Sequence, residues 1–434
     1  MNFLIHNCNL FADEMTMATR KMINCIDRSL KEILDETKPF GGVTVVFSGD
    51  WRQCLPVVPR ASKAEILRET IKETEVWQHV ETFQLTQNMR LKSGVNEEDA
   101  KKIAKFADYL LKVGEGREET FPEIGQDMIK IPDEIKSKAE TLDQFCDEIF
   151  PDMINIVGQG LQSDDPTNVW TEWLMERAII VPTNNEANDI NNICIKKFPG
   201  EKEKVYKSFD KVNNCKEEHN YPTEFLNSIQ VSSIPPHEIK LKIGSPFMLI
   251  RRLDPVNGHI NGTRYIVKAL TDRIIHGEIA HPLKFKGNQI FIPRILFHPK
   301  DKQITFEFER KQFPIRSCFA LTSNKGQGQS YKTVGIYMKK DFFSHGQLYV
   351  AMSRVRHPDC LSIFKDKSSN QDYMRNVVFK EILSKTNTTS KDTTSSLDVD
   401  MEGEAEYMED FVPRQHPPDF LCDDVPNETP MDID

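Results

Sequence analysis

The sequence predicts an α/β fold with parallel sheets, a smaller module of short strands and an acidic tail. Residues 43–47 and 177–181 are nearly continuous runs of apolar residues, which is typical of parallel strands covered on both faces. Between residues 238 and 319 the pattern changes to short strands separated by Asp-Pro and Asn-Gly turn signals, which favours an antiparallel barrel or sandwich. Residues 387–434 bury too little apolar surface to fold, so we expect them to be disordered.

The charge of the chain is unevenly distributed. Residues 392–434 carry fourteen Asp or Glu and one Arg, a net charge of −13, whereas the whole chain carries −10; the rest therefore carries +3. A body with this small positive charge is compatible with a groove for nucleic acid but is no evidence for one. The tail itself is expected to recruit a basic partner or to cover such a groove.

Composition also excludes several classes of protein. No apolar run approaches the roughly 18 residues that cross a bilayer, and the N-terminal apolar segment is too short for a secretory signal. The nine cysteines show no Cys-x-x-Cys spacing, so neither a zinc site nor a disulfide framework is indicated. We therefore expect a soluble, intracellular protein without a membrane partner.

Helices and strands alternate in the N-terminal third. Apolar residues at helical spacing predict a helix over residues 16–36, and the strand at residues 43–47 follows it. Such a strand–helix–strand unit binds ligands at the carboxyl ends of its strands. A capping box from Ser62 to Glu65 predicts the next helix. Residues 80–86 are predicted to form a further strand, and residues 97–113 a helix.

The second half repeats this alternation around the short-strand module. Residues 177–181 predict a strand that ends in Pro-Thr-Asn and leads into a polar helix. Residues 319–321 and 333–338 return to strand patterning, and a helix is predicted from residue 347. The intervening residues 114–170 are interrupted by Gly, Pro and acidic residues, and mixed loop and helix is expected there.

The pair Asp13-Glu14 directly follows a short apolar run and has two interpretations. In nucleotide-hydrolysing α/β domains such a pair ends a buried strand, where one carboxylate orients Mg²⁺ through water and the other handles the attacking water. The pair is also typical of a helix N-terminus, where carboxylates complement the helix dipole. These eight residues, Leu10 to Met17, do not distinguish the two.

Four further polar clusters follow apolar segments. They are Gly49-Asp50-Trp51-Arg52-Gln53, Asn88-Met89-Arg90, Thr322-Ser-Asn-Lys-Gly-Gln-Gly-Gln-Ser330 and Tyr349-Val-Ala-Met-Ser-Arg-Val-Arg356. With Asp13-Glu14 they resemble, in order, motifs II to VI of the superfamily-one helicases of the Pif/RecD type. The similarity spans about residues 8–366 and is greatest to the helicase segment of Helitron-like mobile elements.

The resemblance implies catalytic roles for five residues. Asp13 holds Mg²⁺ through water, and Glu14 polarises the attacking water. Gln53 resembles the sensor of the γ-phosphate, while Arg90 and Arg354 resemble the arginines that reach that phosphate from the second core domain. A fixed fork of donors neutralises the charge of the transition state and contributes roughly 10³ to 10⁵ in rate. ATP and Mg²⁺ are the implied cofactors.

The resemblance also assigns Asp50 to the nucleotide site and places Lys325, Gln327 and Gly328 in the motif that couples it to single-stranded DNA. Residues 238–318 resemble the barrel inserted in the second core domain, which helps to enclose the strand by contacting phosphates. The implied organisation is a partial RecA-like core domain, the start of a second core domain with a helical insertion, the barrel, the rest of the second core and the tail. The corresponding residues are 1–86, 87–237, 238–318, 319–386 and 387–434.

One motif of this family is missing. A Walker A loop needs Gly-x-x-x-x-Gly-Lys-Ser/Thr to wrap and neutralise the phosphates, yet none of the 20 glycines is followed by lysine. The first core domain is therefore expected to be incomplete. Two explanations are open. The chain is a truncated gene model or a decayed reading frame of a mobile element, in which case hydrolysis is lost. Alternatively, the true start lies upstream, and the complete protein is an active helicase.

The expected function is ATP-driven 5′-to-3′ translocation and unwinding of DNA at duplex junctions, in nuclear genome maintenance, recombination, repair, telomere maintenance or mobile-element replication. Little activity is expected from the chain as written, because the phosphate loop is absent. The alternative is a non-catalytic module that binds single-stranded DNA through the second core domain and the barrel.

Overall fold

The N-terminal strands form a two-stranded parallel sheet. In the computed structural model, which describes residues 9–34, 37–86, 97–162, 169–200, 203–212, 221–231, 233–299, 304, 306–366 and 370–384, strand β1 (Asn9–Ala12) pairs with β2 (Thr44–Phe47). Helix α1 (Arg20–Leu34) connects them and confirms the predicted strand–helix–strand unit. One face of the sheet packs on a small apolar cluster, whereas Phe11 on the other face is 73% exposed.

A short helix and an irregular segment complete the first core. Helix α2 (Lys63–Arg68) begins at the predicted capping box, in which Ser62 and Glu65 bond each other's backbone amides. The predicted strand at residues 80–86 is wrong, because no ladder forms there and Phe83 and Leu85 are 81% and 101% exposed. A strand needs a neighbour for its N–H and C=O groups, and this segment has none among the described residues.

The second core is built on four parallel strands. The sheet order is β15 (Ala320–Thr322), β4 (Arg177–Val181), β16 (Thr333–Met338) and β17 (Leu361–Lys365). Helices cover both of its faces, which is why its strands read as continuous apolar runs. One face packs on α3 (Glu97–Glu115) and α10 (Gln347–Met352), and the other on α4 (Leu142–Ile149) and α7 (Asn184–Lys197). The α/β fold with a parallel core sheet is thus confirmed.

The remaining elements of this core are short. They are β3 (Met128–Lys130), which pairs with β18 (Tyr373–Arg375), and the helices α5 (Met153–Gln162), α6 (Val169–Met175), α9 (Ser323–Gly326) and α11 (Lys380–Ser384). Among the helices of the described ranges, none is long and apolar enough to cross a membrane. The predicted disordered tail, residues 387–434, lies outside the described residues.

Antiparallel sheets form the inserted module. Its largest sheet has the order β11-β10-β9-β8-β14, with β8 (Pro246–Leu249), β9 (Arg264–Leu270), β10 (Ile274–His281), β11 (Gln289–Pro293) and β14 (Ile315–Ser317). The other strands are β5 (Lys204–Lys207), β6 (Phe209–Val212), β7 (Glu238–Leu241), β12 (Ile295–Phe297) and β13 (Phe308–Gln312), with helix α8 (Thr223–Ser228) beside them. Because β5 pairs with β7 and β6 with β13, these sheets include residues that precede position 238.

Candidate functional site

The Asp13-Glu14 pair lies at the carboxyl end of β1. Asp13 is exposed and its Oδ1 accepts the Glu14 N–H at 2.9 Å, while Glu14 adopts the left-handed conformation with φ 54° and ψ 35°. The Glu14 side chain makes no capping hydrogen bond, and α1 begins only at Arg20, without an acidic residue in its first turn. The pair therefore precedes a 3₁₀ helix of only three residues, Met15–Met17, whose N-cap is Glu14, and it does not cap α1. The strained backbone instead presents Glu14 to another part of the chain.

Glu14 contacts the segment that follows β15. Gln327 donates from Nε2 to Glu14 Oε2 at 2.5 Å. A Cβ atom on Gly328, whose φ is 74°, would lie 3.5 Å from Glu14 Oε1. These contacts join the first core to the second across 313 positions of sequence. Residues that the sequence assigned to two different motifs, Glu14 in one and Gln327 with Gly328 in the other, are thus brought together.

The loop Asp50–Gln53 forms the next part of the site. Asp50 accepts the Arg52 N–H at 3.0 Å through Oδ1 and the Tyr349 hydroxyl at 3.0 Å through Oδ2. Burial and the nearby Asp50 raise the pKa of Tyr349, so this hydroxyl remains a donor at neutral pH. The buried Gln53 Oε1 finds no donor within the described part of the chain. Asp50 therefore organises the loop that carries Gln53.

Arg354 lies on the far side of this loop. Its guanidinium donates to Val350 O at 2.8 Å, to Gln329 O at 3.1 Å and to Ser353 Oγ at 2.8 Å. Burial raises the pKa of Cys54 to about 12, a shift that nearby Arg354 opposes and nearby Glu14 reinforces. Glu14, Cys54 and Arg354 therefore lie close together. The other predicted arginine, Arg90, lies outside the described residues.

Some contacts of this site carry no signal in the sequence. Arg52 donates to Glu115 Oε1 at 2.6 and 3.0 Å, which ties the loop to the end of α3. Burial opposes protonation of Arg52, but this bond and Asp50 raise its pKa. Tyr349 stands in a predicted motif, yet its partner Asp50 is 299 positions away. Sequence spacing does not indicate such long-range pairs.

A second polar region lies at the carboxyl end of β4 and includes Arg316 of β14. A cleft there is lined mainly by amide and hydroxyl side chains and by one guanidinium, and no acidic residue lines it: Thr183, Asn184, Asn185, Asn188, Gln230, Val231, Ile234, Pro235, Pro236 and Arg316. It opens at the N-terminus of α7, where Thr183 and Glu186 form a capping box. Donors and a helix N-terminus suit an anion. Sequence reasoning missed Arg316 and Asn184.

Burial affects the pKa of two cations in this part of the fold, Arg316 and Lys325. Arg316 donates to Asn184 Oδ1 at 3.2 Å and to Ile234 O at 2.6 Å, and burial lowers its pKa to about 10. Burial, followed by repulsion from Arg316, lowers the pKa of Lys325 to about 7. An approaching anion would stabilise the charged forms of these two buried side chains. Lys325 and Gln327 thus lie two positions apart in the sequence. The charge of Arg316 acts on Lys325, and Gln327 is bonded to Glu14.

The residues present fit part of a Mg²⁺–nucleotide site. A magnesium ion on a triphosphate keeps most of its waters and needs only one or two protein carboxylates, which the exposed Asp13 can supply. No group of three metal-ligating side chains occurs among the residues that the structure describes. The loop that should wrap the phosphates is missing from the sequence. We therefore derive no hydrolytic step from these residues.

Comparison with known protein families identifies two segments of this chain. Residues 2–123 match the PIF1-like helicase family, and residues 224–270 match the 2B domain of DNA helicase Pif1. The ATP-dependent DNA helicase PIF1 of Danio rerio is 22% identical over 382 residues, covering 84% of this chain and 48% of the relative. Its Xenopus laevis counterpart is 21% identical, covering 82% and 46%. The chain thus spans about half the length of these curated relatives.

Solved structures show the same fold. The Pif1 helicase of Bacteroides, crystallised with ADP-AlF3 and single-stranded DNA, has a TM-score of 0.56 at 20% identity, covering 88% of this chain and 75% of that one. The Pif1 helicase of Candida albicans has a TM-score of 0.54 at 21% identity, covering 86% and 74%. The second core and the inserted module are thus arranged as in helicases with RecA-like cores. Two segments of this chain are therefore similar to PIF1-like helicases, and the fold is that of the Pif1 structures.

Proposed function

We propose that this chain is the helicase segment of an ATP-dependent DNA helicase that translocates 5′ to 3′ on single-stranded DNA and unwinds duplex junctions. One observation carries the proposal: the segment after β15 bonds the carboxylate of Glu14 through Gln327 Nε2 at 2.5 Å and so joins the two cores. A ligand that moves one end of this segment also moves the other. The printed names of the relatives, ATP-dependent DNA helicases, support it.

In this proposal the nucleotide lies between the two cores. Asp13 would hold Mg²⁺ through water, Glu14 would orient the attacking water, and Gln53 would contact the γ-phosphate. Arg354, together with Arg90, neutralises the phosphoryl oxygens after it gives up its present bond to Gln329 O. The phosphates themselves need a loop that the sequence does not contain. Asp50 acts indirectly by holding the loop of Gln53.

The DNA strand is proposed to run past the cleft at the carboxyl end of β4. Lys325 and Arg316 supply charge there, while Asn184 and Thr183 supply neutral donors near the α7 N-terminus. Contacts of this kind go to phosphates and position the strand without reading its sequence. Affinity should therefore depend steeply on salt and little on base sequence.

A non-catalytic function is the second candidate: the polar cleft that includes Arg316 can bind phosphates without nucleotide. In that case the chain binds single-stranded DNA without response to ATP. The two functions differ in whether nucleotide changes the affinity for DNA.

Nucleotide-dependent DNA binding is the test between them. For the helicase function we expect Mg²⁺–ATP or ADP-AlF3 to change the dissociation constant for a fluorescent oligo(dT) by at least about tenfold, a coupling of about 1.4 kcal/mol. Glu14→Gln should reduce this change, because Glu14 joins the nucleotide side to Gln327. Fluorescence anisotropy measures it, and steady-state ATP hydrolysis accompanies it.

The matched control is Glu32→Gln, which makes the same substitution at an exposed position of α1. It should leave both DNA affinity and its response to nucleotide unchanged. An affinity that is indifferent to nucleotide in the parent chain and in Glu14→Gln selects the non-catalytic module. Failure to bind oligo(dT) even at low salt contradicts both functions.

The pH dependence of DNA binding should identify Lys325. In the free protein, the pKa of Lys325 is lowered to about 7, and an adjacent phosphate raises it again. Above pH 7 the free lysine is largely neutral, so DNA binding requires the uptake of a proton. Affinity for oligo(dT) should fall about three- to tenfold between pH 6.5 and 8.5. Lys325→Arg should abolish this dependence, whereas Lys268→Arg, at a barrel lysine paired with Glu278, should retain it. An unchanged slope in Lys325→Arg would contradict the assignment.

Several finer points belong to the same proposal. Magnesium is the proposed metal, and the nucleus is the proposed compartment. Proposed roles include genome maintenance, recombination, repair, telomere maintenance and mobile-element replication, with descent from a Helitron-like element. Detection of the chain in nuclear fractions, and of Helitron ends beside its gene, are the corresponding tests.

A further inference from the structure

His345 is fully buried between the two cores, with 0% of its surface exposed. Its Nε2 lies 2.8 Å from the carbonyl oxygen of Trp51, and its Nδ1 accepts the Phe379 N–H at 2.8 Å. A carbonyl only accepts and a backbone N–H only donates, so the proton must be on Nε2. The imidazole is therefore neutral, and each of its nitrogens binds a different part of the chain.

The neighbours of His345 hold the same loop. Gly346 has φ 71°, and a Cβ atom there would lie 2.5 Å from the carbonyl oxygen of Arg52. Three residues further on, Tyr349 donates to Asp50 at 3.0 Å. The second core thus contacts the loop Asp50–Gln53 through residues 345, 346 and 349. Two of these residues also reach the segment that leads into α11: the His345 imidazole accepts the Phe379 N–H, and the Gly346 N–H donates to Val377 O at 3.2 Å.

Lys72 adds a contact between the same partners. Its ammonium lies 4.5 Å from the Trp51 ring centroid and donates to Ile382 O at 2.7 Å. Lys72 is buried, so both contacts are made in a region of low dielectric. Trp51 is thereby held through its ring by Lys72 and through its carbonyl by His345.

We propose that His345 is a positioning residue that fixes the loop Asp50–Gln53, and hence Gln53, against the second core. The assignment of Gln53 to the nucleotide cleft rests on the proposed function, whereas the positioning of the loop does not. Trp51 lies two residues before Gln53, and the Gln53 N–H closes the turn onto Asp50 O at 2.9 Å. Loss of the imidazole bond releases the carbonyl next to that turn.

The same geometry makes the loop sensitive to acid. Burial lowers the pKa of His345, while the Trp51 carbonyl and Asp50 oppose this and Lys63 reinforces it. Lys72, over the Trp51 ring, is the other cation on this side. Protonation of Nδ1 would set an N–H against the Phe379 N–H. The unfolded chain takes up this proton at a higher pH than the folded chain does. The folded state should therefore lose stability as the pH falls below about 6.5.

Hydrogen exchange of the full chain, followed by mass spectrometry on peptides that cover residues 48–56, tests the proposal. His345→Leu should raise exchange at the Gln53 amide by at least about tenfold, since both bonds are lost. His345→Gln should restore protection, because a carboxamide supplies one donor and one acceptor. Peptides from β4 and β16 report in the same experiment whether the second core remains folded.

The control is His259→Leu, at a buried histidine of the inserted module whose Nδ1 lies 3.0 Å from Tyr265 Oη. It should leave the 48–56 peptides unchanged. Between pH 7 and pH 5, protection corrected for intrinsic exchange should fall in the parent chain and not in His345→Gln. Unchanged loop exchange in His345→Leu with β4 and β16 protected, or an equal acid response in His345→Gln, would overturn the proposal. Neither result depends on nucleotide or DNA, so failure of the proposed function remains distinguishable.

Discussion

Replacing Arg310 by methionine should destabilise the inserted module by about 3–5 kcal/mol. Arg310 and Asp210 are both 0% exposed at the side chain and form two hydrogen bonds of 2.7 and 2.9 Å. The same guanidinium donates to the carbonyls of Leu226, Ile229 and Pro235. Without it, the buried Asp210 carboxylate between β6 and β13 loses its guanidinium and keeps the Ser208 hydroxyl, with His237 at 4.0 Å. Exchange protection of amides in these two strands measures the loss.

Two variants identify the cause. Asp210→Leu combined with Arg310→Met removes both charges and should recover much of the stability, since apolar residues often replace a buried ion pair without loss. Asp272→Asn removes an ion-pair partner of Lys204 that is 93% exposed, and should change protection little. Equal losses in Arg310→Met and in the double variant would show that packing, and not the unpaired charge, is responsible.

Gly346→Ala should loosen the junction between the two cores. Gly346 has φ 71° and ψ −4°, and an added Cβ would lie 2.5 Å from Arg52 O and 2.5 Å from the carbonyl carbon of Gln53. The left-handed backbone alone costs about 1–2 kcal/mol for a residue with a side chain. The backbone atoms of the loop cannot step aside as a flexible side chain could. A thermal unfolding midpoint lowered by several degrees, with faster exchange at residues 48–56, is expected.

Gly262→Ala separates strain from collision. Gly262 has φ 94°, but a Cβ there meets no atom within 4 Å. This variant should therefore show the backbone cost alone. If Gly346→Ala is no more destabilising than Gly262→Ala, the contact between Gly346 and the loop does not constrain the junction.

The sequence predicted those strands best that are buried on both faces. Residues 177–181 and 333–338 were predicted to the residue, because parallel strands between helices must be apolar throughout. The segment 80–86 carries three apolar residues in seven and no strand beside it among the described residues, and Phe83 and Leu85 remain exposed. The local pattern of apolar and polar residues predicts that a segment can form a strand. It does not reveal whether a partner is present.

The site was predicted as a set of motifs but not as a set of contacts. Polar residues after strand ends identified Glu14, Gln53 and Gln327, since such ends gather at one edge of a sheet. The bond between Gln327 and Glu14 spans 313 positions, and that of His345 to Trp51 spans 294. Which strand ends face each other depends on how two cores meet. No periodicity within either core contains that information.

The short segment after β15 connects Lys325 and Gln327 with little conformational freedom between them. Lys325 is separated from Gln327 only by Gly326, which is buried and would hold a Cβ 3.2 Å from Leu321. A displacement of an ångström at the lysine must therefore reach the glutamine almost undiminished, because no loop between them can absorb it. Because the connection is only one residue long, it has few backbone torsions that could absorb a displacement. Longer insertions at position 326 should uncouple the two ends while leaving each contact chemically intact.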